Sequence, residues 1–329
     1  MEKAEVKDNS LIKKNGKISG LIFKELVRRG YSIEGDTRVW NIADSKLWYL
    51  TPEQAQAYLD MDHSPEYEEA VHKEQSNRLL QENADLIIKK FNEGAVNVID
   101  LGCGDGKKAT EIIQKFGGKL KIRYCPIDIS GYMVQKAIET FSKMDIHEIV
   151  EFQYNISDFE NLSNITPLLT KGEFKRNLFL LLGNTLGNFE ITSLLYEIRS
   201  SMKDGDLLLV DTSLANKKIE EVVNLHSKND LSKRFVFYIP KGLGLKEDEV
   251  EYGVRFKNSR VEIYFIIKED RTIKLQERKV ELRKGDKMIV GIAYKHNLDD
   301  LKMYFNMFFG SVETVLSDDK AQAFILCQK

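Results

Sequence analysis

Residues 100–106, Asp-Leu-Gly-Cys-Gly-Asp-Gly, constrain the fold more than any other stretch, because they join an apolar run at 96–100 to a helical pattern that begins near Lys107. Glycine adopts backbone angles that other residues avoid, so the chain can bend sharply here and bring its main chain close to a ligand. The first N–H groups of the helix that follows lack intrahelical partners and face the same ligand. A strand, a glycine-rich bend and a helix in this order make a nucleotide-type cofactor site. A dinucleotide fingerprint of the form GxGxxG would need glycine at position 107, where this chain has lysine; its glycines are Gly102, Gly104 and Gly106.

The periodicities around the bend alternate. A helical pattern from residue 74 puts Leu80, Ala84, Ile87, Ile88 and Phe91 on one face and leads into the first strand. After the bend, Ala109, Ile112, Ile113 and Phe116 predict a second helix, ended by Gly117 and Gly118. Strands are then predicted at 121–128, 149–156, 177–183 and 206–212, with helices over 133–141 and 191–202. The runs 178–182 and 207–210 are apolar throughout, as expected of parallel strands covered by helices on both faces. The order predicts an α/β fold with a Rossmann-like sheet. Between 213 and 296 the rhythm changes, and 234–239, 250–256, 260–268, 272–282 and 287–294 read as strands of an inserted, mostly antiparallel α+β lobe. A helix over 298–309 and strands at 312–316 and 322–328 return the chain to the first sheet. The expected division is residues 1–70 as an N-terminal helical segment contributing to the substrate lobe, 71–212 with 297–329 as the cofactor-binding domain, and 213–296 as the inserted lobe. The first 15 residues are polar and are expected to be disordered.

Composition narrows the partners. A chain of 329 residues, 42% hydrophobic and 30% charged, can bury a large core. Its net charge of -2 leaves no general footprint for a polyanion; Lys13, Lys14, Lys17 and the pair Arg28 and Arg29 are modest basic runs. A small-molecule substrate is therefore expected, and nucleic acid is not. The charged N-terminus lacks an apolar core segment, and the longest apolar run, 178–182, is far too short for a bilayer, so no membrane partner and a cytoplasmic location are expected. Cys103, Cys125 and Cys327 form no CxxC pair and read as small buried residues in a reducing compartment; no metal site is expected.

Ligands of open parallel sheets bind beyond the carboxyl ends of the strands, so polar residues there carry the most information. Asp100 ends the first strand. Asp128 ends the second, 22 positions after Gly106, where a carboxylate can accept hydrogen bonds from both ribose hydroxyls. Capping of the next helix is the alternative reading, with Ser130 as a further cap. Asp158 follows the third strand with Phe159 beside it, and Lys107 or Lys108 can reach a carboxylate from the start of the first helix. This series resembles the opening motifs of class I methyltransferases, whose cofactor is S-adenosylmethionine. In that class the position of Asp158 accepts from the adenine amino group and that of Phe159 lies beside the ring. Ile129, Ser130 and Gly183 belong to the same cradle by this resemblance.

The segment Leu181-Leu-Gly-Asn-Thr-Leu-Gly-Asn-Phe189 is more specific. It resembles the signature after the fourth strand in the histidine-specific methyltransferase family, the ergothioneine-biosynthesis type of N-methyltransferase. The resemblance runs from about residue 45 to the C-terminus, through Pro65-Glu-Tyr67 and Pro126-Ile-Asp-Ile-Ser130. It implies Asp128, Asp158, Phe159 and Lys108 on the cofactor, Lys108 at its carboxylate. It further implies Asn188 and Tyr67 on an acceptor amino acid, with Tyr49 over the amine side of the pocket; on the sequence alone, both tyrosines also suit packed aromatics. The departures mark a divergent member. In the family a glutamate and a serine two positions later hold an imidazole; Gly291 and Ala293 stand in those places, and Val223 stands where a further acceptor tyrosine occurs.

A site built to hydrogen-bond one side chain discriminates strongly against others, so the expected acceptor is an amine on a small molecule other than histidine, an amino acid or derivative with a less polar side chain. A nucleic-acid or protein methyltransferase on the same fold, and a cofactor-binding protein without activity, are the alternatives. Methyl transfer from a sulfonium asks the protein chiefly to exclude water and align the acceptor. A free α-amino group, with a pKa of about 7.7 to 8.0, must also give up its proton, and a tyrosine or asparagine can hold the neutral form.

Overall fold

The computed structural model describes residues 16–92, 94–151, 155–159, 162–215 and 219–329. The expectation of a disordered N-terminus, and Lys13 and Lys14, lie outside these residues. In chain order the first elements are α1 (Gly16–Arg29), β1 (Ser32–Glu34), β2 (Thr37–Asn41), α2 (Pro52–Asp62), α3 (Pro65–Ala70), α4 (Lys73–Glu82) and α5 (Ala84–Phe91). The cofactor half follows as β3 (Gly94–Leu101), α6 (Lys107–Phe116), β4 (Leu120–Ile127), α7 (Gly131–Phe141), β5 (Glu148–Ile149), α8 (Leu162–Leu169), β6 (Arg176–Leu181), α9 (Ile191–Ser201) and β7 (Leu207–Ser213). Then come α10 (Ile219–Lys228), α11 (Asp230–Gly242), β8 (Val250–Lys257), β9 (Arg260–Ile267), β10 (Arg271–Leu275), β11 (Arg278–Leu282) and β12 (Lys287–Tyr294). The last elements are α12 (Leu298–Phe308), β13 (Ser311–Leu316) and β14 (Gln322–Gln328).

Seven strands form the central sheet in the order β13-β14-β7-β6-β3-β4-β5. The five from β7 to β5 are parallel, and β14 and β13 continue the sheet antiparallel. Alternate residues of one strand enter different cores. Val98, Leu178, Leu180, Leu207 and Leu209 pack with α4 to α7 on one face, while Ile99, Phe179, Leu181, Leu208 and Val210 pack with α8, α9 and α12 on the other. Both faces are therefore dry, which is why these strands tolerate no polar alternation. The chain leaves β3 toward β4 on one side and returns to β6 on the other, so a crevice opens beyond the carboxyl end of β3.

A second sheet, β1-β2-β12-β9-β8, packs with α1 and α11 around Trp40, Trp48, Phe235, Phe265 and Met288. Here the N-terminal part differs from the expected helical segment. β2 lies parallel to β12, Val39 opposite Lys287, so residues 37–41 are an integral strand of the lobe. The Trp48 indole N–H adds a tie, donating to the Val290 carbonyl at 2.8 Å.

Four predicted elements take a different form. Residues 234–239 are helical, within α11, because Ser232, Phe235, Val236 and Ile239 recur on a buried face and Asn229 caps the helix, accepting from the Ser232 N–H at 2.9 Å. The run 272–282 is a hairpin, β10 and β11, broken where Gln276 takes φ +54°. The helix predicted from residue 74 divides at Asn83 into α4 and α5. The strand predicted at 149–156 is reduced to β5 and a single bridge between Asp128 and Ile156; residues 152–154 lie outside the described ones.

Gly106 illustrates why the bend needs glycine. Its φ is +77°, and a Cβ there would sit 3.1 Å from Cα of Ala137, so α6 packs on α7 only because nothing projects from this position. Gly106→Ala is expected to cost roughly 1–2 kcal/mol of stability, read as a lowered urea midpoint; a parental midpoint would refute this account of the packing.

Candidate active site

Beyond the end of β3 lies a cleft lined by Gly102, Gly104, Asp128, Ile129, Asp158, Phe159, Gly183 and Asn188, together with Tyr49, Tyr58, Lys46, Ser157 and Thr185. Gly104, at φ +53°, turns its backbone toward this space, and a Cβ added to it would meet nothing within 4 Å. Asp128 is buried at the rim of β4. One of its oxygens accepts the Gly104 N–H at 3.2 Å and the other accepts the Ser130 N–H at 2.9 Å. A carboxylate offers about four lone-pair sites, so acceptor capacity remains beyond these backbone donors. Burial pushes the Asp128 carboxyl up to about 6, against the pull of those backbone donors. Asp128 orders the turn into α7 and also lines the cleft.

On the opposite wall, Asp158 receives the Lys46 ammonium at 3.0 Å, and Phe159 packs against Phe189 with ring centroids 5.1 Å apart. Ser130 is buried and caps α7, its hydroxyl accepting the Met133 N–H at 3.5 Å; it does not line the cleft, and neither does Gly106. An adjoining cavity lies over Asp100, Lys108 and Asp211, with Gly102, Gly104 and Gly183 shared between the two. Asp100 accepts the Tyr124 hydroxyl at 2.6 Å, and burial raises its carboxyl to about 7. Lys108 reaches this cavity, donating to Ser76 at 2.6 Å and Asn77 at 2.8 Å and pairing with Asp211 at 3.2 Å. Asp211 also accepts the Gly183 N–H at 2.5 Å, so the end of β7 fixes the loop after β6. Sequence reasoning missed Asp211, although it obeys the strand-end rule that drew attention to Asp128.

The three expected acceptor residues are divided. Tyr49 and Asn188 line the cleft, whereas Tyr67 lines the cavity over Asp100 and a larger one beyond. Tyr58 lines all three and was not foreseen; its ring lies 5.4 Å from Tyr49 and 5.3 Å from Phe235. A tyrosine inside a helical pattern gives no sign of which space its hydroxyl will meet. Burial, with the Asp128 and Asp62 carboxylates, lifts the Tyr49 and Tyr58 hydroxyls well above the ordinary phenol range, so both stay protonated. The larger cavity is walled by Trp48, Val236, Ile263, Ile292 and Ala293, among others, and has a volume of about 130 Å³. Gly291 stands behind this wall, and a Cβ there would come within 3.3 Å of Ile263, whose side chain fills the adjoining space.

The parallel sheet, the glycine bend and the strand-end carboxylates define a class I, S-adenosylmethionine-dependent methyltransferase, and the open backbone at Gly104 with the acceptor capacity left on Asp128 fits that cofactor. The family model described as histidine-specific, S-adenosylmethionine-dependent methyltransferase matches residues 55–329, and the chain belongs to that family. Solved structures of similar fold include an S-adenosylmethionine-dependent methyltransferase from Clostridium acetobutylicum ATCC 824, at 14% identity over 74% of this chain and 89% of that one, TM-score 0.41. Magnesium protoporphyrin IX methyltransferase from Synechocystis PCC 6803 with bound S-adenosylhomocysteine matches at 11% identity over 83% and 93%, TM-score 0.42. Comparison with curated proteins gave no match. Among the described residues no helix is long and apolar enough to cross a membrane.

Proposed function

We propose that this enzyme transfers a methyl group to the amine of a small molecule with an apolar body, an amino acid or derivative other than histidine. The observation that carries the reading is the wall of the larger cavity. Ala293 and Ile263 present hydrocarbon beside the two positions where the family holds an imidazole, and Tyr58 connects this cavity to the cofactor cleft. In this reading residues 1–70 and 213–296 supply the acceptor side, and 71–212 with 297–329 the cofactor side.

S-adenosylmethionine supplies an electrophilic methyl carbon on a sulfonium. Asp128 would hold the ribose hydroxyls, Ile129 and Phe159 would line the adenine side, Asp158 would accept from the adenine amino group, and Lys108 would meet the cofactor's carboxylate. Asn188 and Tyr49 hold the acceptor amine neutral and in line. Tyr58 and Phe235 close the space against water. The basic pair that a polyanion would use is already engaged: Arg28 and Arg29 both pair with Glu25, and Arg29 also with Asp44.

Incubation of the protein with methyl-labelled cofactor and a fractionated small-molecule extract tests the proposal. The label is expected on an amine with an apolar side chain, identified by mass, and free histidine is expected to take up none. Label on histidine, on RNA or on protein would sink it, as would tight cofactor binding with no labelled small molecule.

A further inference from the structure

The larger cavity contains one feature that an apolar wall does not explain. Lys295 follows β12 directly and lines the cavity together with Ala293. Its ammonium donates to the Ser213 hydroxyl at 2.5 Å, and no carboxylate among the described residues pairs with it. The Ser213 N–H in turn donates to Asn184 Oδ1 at 2.5 Å, so the hydroxyl is held on an ordered backbone. No aspartate or glutamate is found among the described residues that line this cavity. His226, on the same wall, is held down to about 4 by burial and by the Lys295 charge, so it is neutral near pH 7. Lys295 itself is lowered to about 8 by desolvation.

An enclosed ammonium with only a hydroxyl for company is costly, and an entering anion would offset that cost. A cationic group would meet repulsion and no counter-charge. We propose that Lys295 and Ser213 form an anion-binding end of this cavity, and that the acceptor carries a carboxylate there. The inference rests on reading this cavity as the acceptor's, and it narrows the substrate to an apolar amine that is also an acid. The family's glutamate position, occupied here by Gly291, no longer contributes a negative charge, and the remaining charge on the wall has the opposite sign.

The test uses the full chain and compounds without an amine, so that anion binding is read apart from methyl transfer. Hexanoate and hydrocinnamate, each beside its matched primary alcohol, are titrated into the protein saturated with S-adenosylhomocysteine, and heat is recorded. Each acid is expected to bind about tenfold or more tightly than its alcohol. Lys295→Met should abolish the preference and Lys295→Arg should keep it, both variants binding S-adenosylhomocysteine as the parent does. Equal affinity of acid and alcohol for the parent, binding of neither at millimolar concentration, or a preference that survives Lys295→Met overturns the assignment. If the acid preference holds while no extract amine is labelled, the anion site stands and N-methylation falls. Labelled amine without any acid preference leaves N-methylation standing and removes the anion site.

Discussion

An Asp128→Asn enzyme is expected to bind S-adenosylmethionine and S-adenosylhomocysteine about tenfold to a hundredfold more weakly than the parent. Hydrogen bonds to a charged partner contribute about 1.5–3 kcal/mol each, and the substitution weakens two of them at once by removing the charge and turning one acceptor into a donor. Stability has a pH dependence of its own in the parent. Burial raises the carboxyl from 3.8 to about 6, so the folded protein takes up this proton before the unfolded chain does. The contribution of Asp128 to stability is therefore most unfavourable above about 6 and is relieved as the pH falls through 6 toward 3.8. Cofactor affinity has the opposite sign, declining below about 6 in the parent as the carboxylate is lost. Asp100 titrates nearby, at about 7, so Asp100→Asn is the control that should retain the step while Asp128→Asn loses it. Calorimetric titration with S-adenosylhomocysteine between pH 5 and 8 reads the affinity, urea midpoints over the same range read the stability, and unchanged affinity in Asp128→Asn would remove the carboxylate from the ribose.

Asn188→Ala should lower kcat by about a hundredfold with the cofactor Kd nearly unchanged. Asn188 lies on the tight turn after β6 and faces the cleft together with Tyr49. A side chain that positions an amine for in-line attack acts on the chemical step, and small misplacements there carry losses of this size. Tyr67 does not line the cleft, so Tyr67→Phe is expected to raise the acceptor KM more than it lowers kcat. Steady-state kinetics with the amine identified by labelling separates the two. Parental kcat in Asn188→Ala would show that the amine is oriented by something else.

What the sequence disclosed was local or repetitive. The glycine bend and Asp128 are set by their positions at strand ends, and the continuous apolar runs at 178–182 and 207–210 announce a sheet covered twice. The misreadings arise where tertiary packing overrides residue preference. Residues 234–239, Arg-Phe-Val-Phe-Tyr-Ile, favour a strand by composition, yet one face of them fills the lobe core as a helix. Asn184, Ser213 and Lys295 are far apart along the chain and unremarkable singly; their meaning comes from three elements meeting at one cavity wall. Asn184 belongs to the distinctive segment 181–189, but only its φ of +62° reveals that it is held in a special geometry.

The pairing of β2 with β12 carries a consequence for the order of events during synthesis. Two partners about 250 positions apart must meet, and closing so long a loop costs chain entropy before any contact repays it. A nascent chain makes β2 early with β1 paired to one edge, and its other edge stays without a partner until β12 has been made. The pairing of β3 with β4 and β6 needs no such delay, but the central sheet too is finished late, since β14 must return to β7 from beyond β12, so both sheets wait for the last part of this sequence to close.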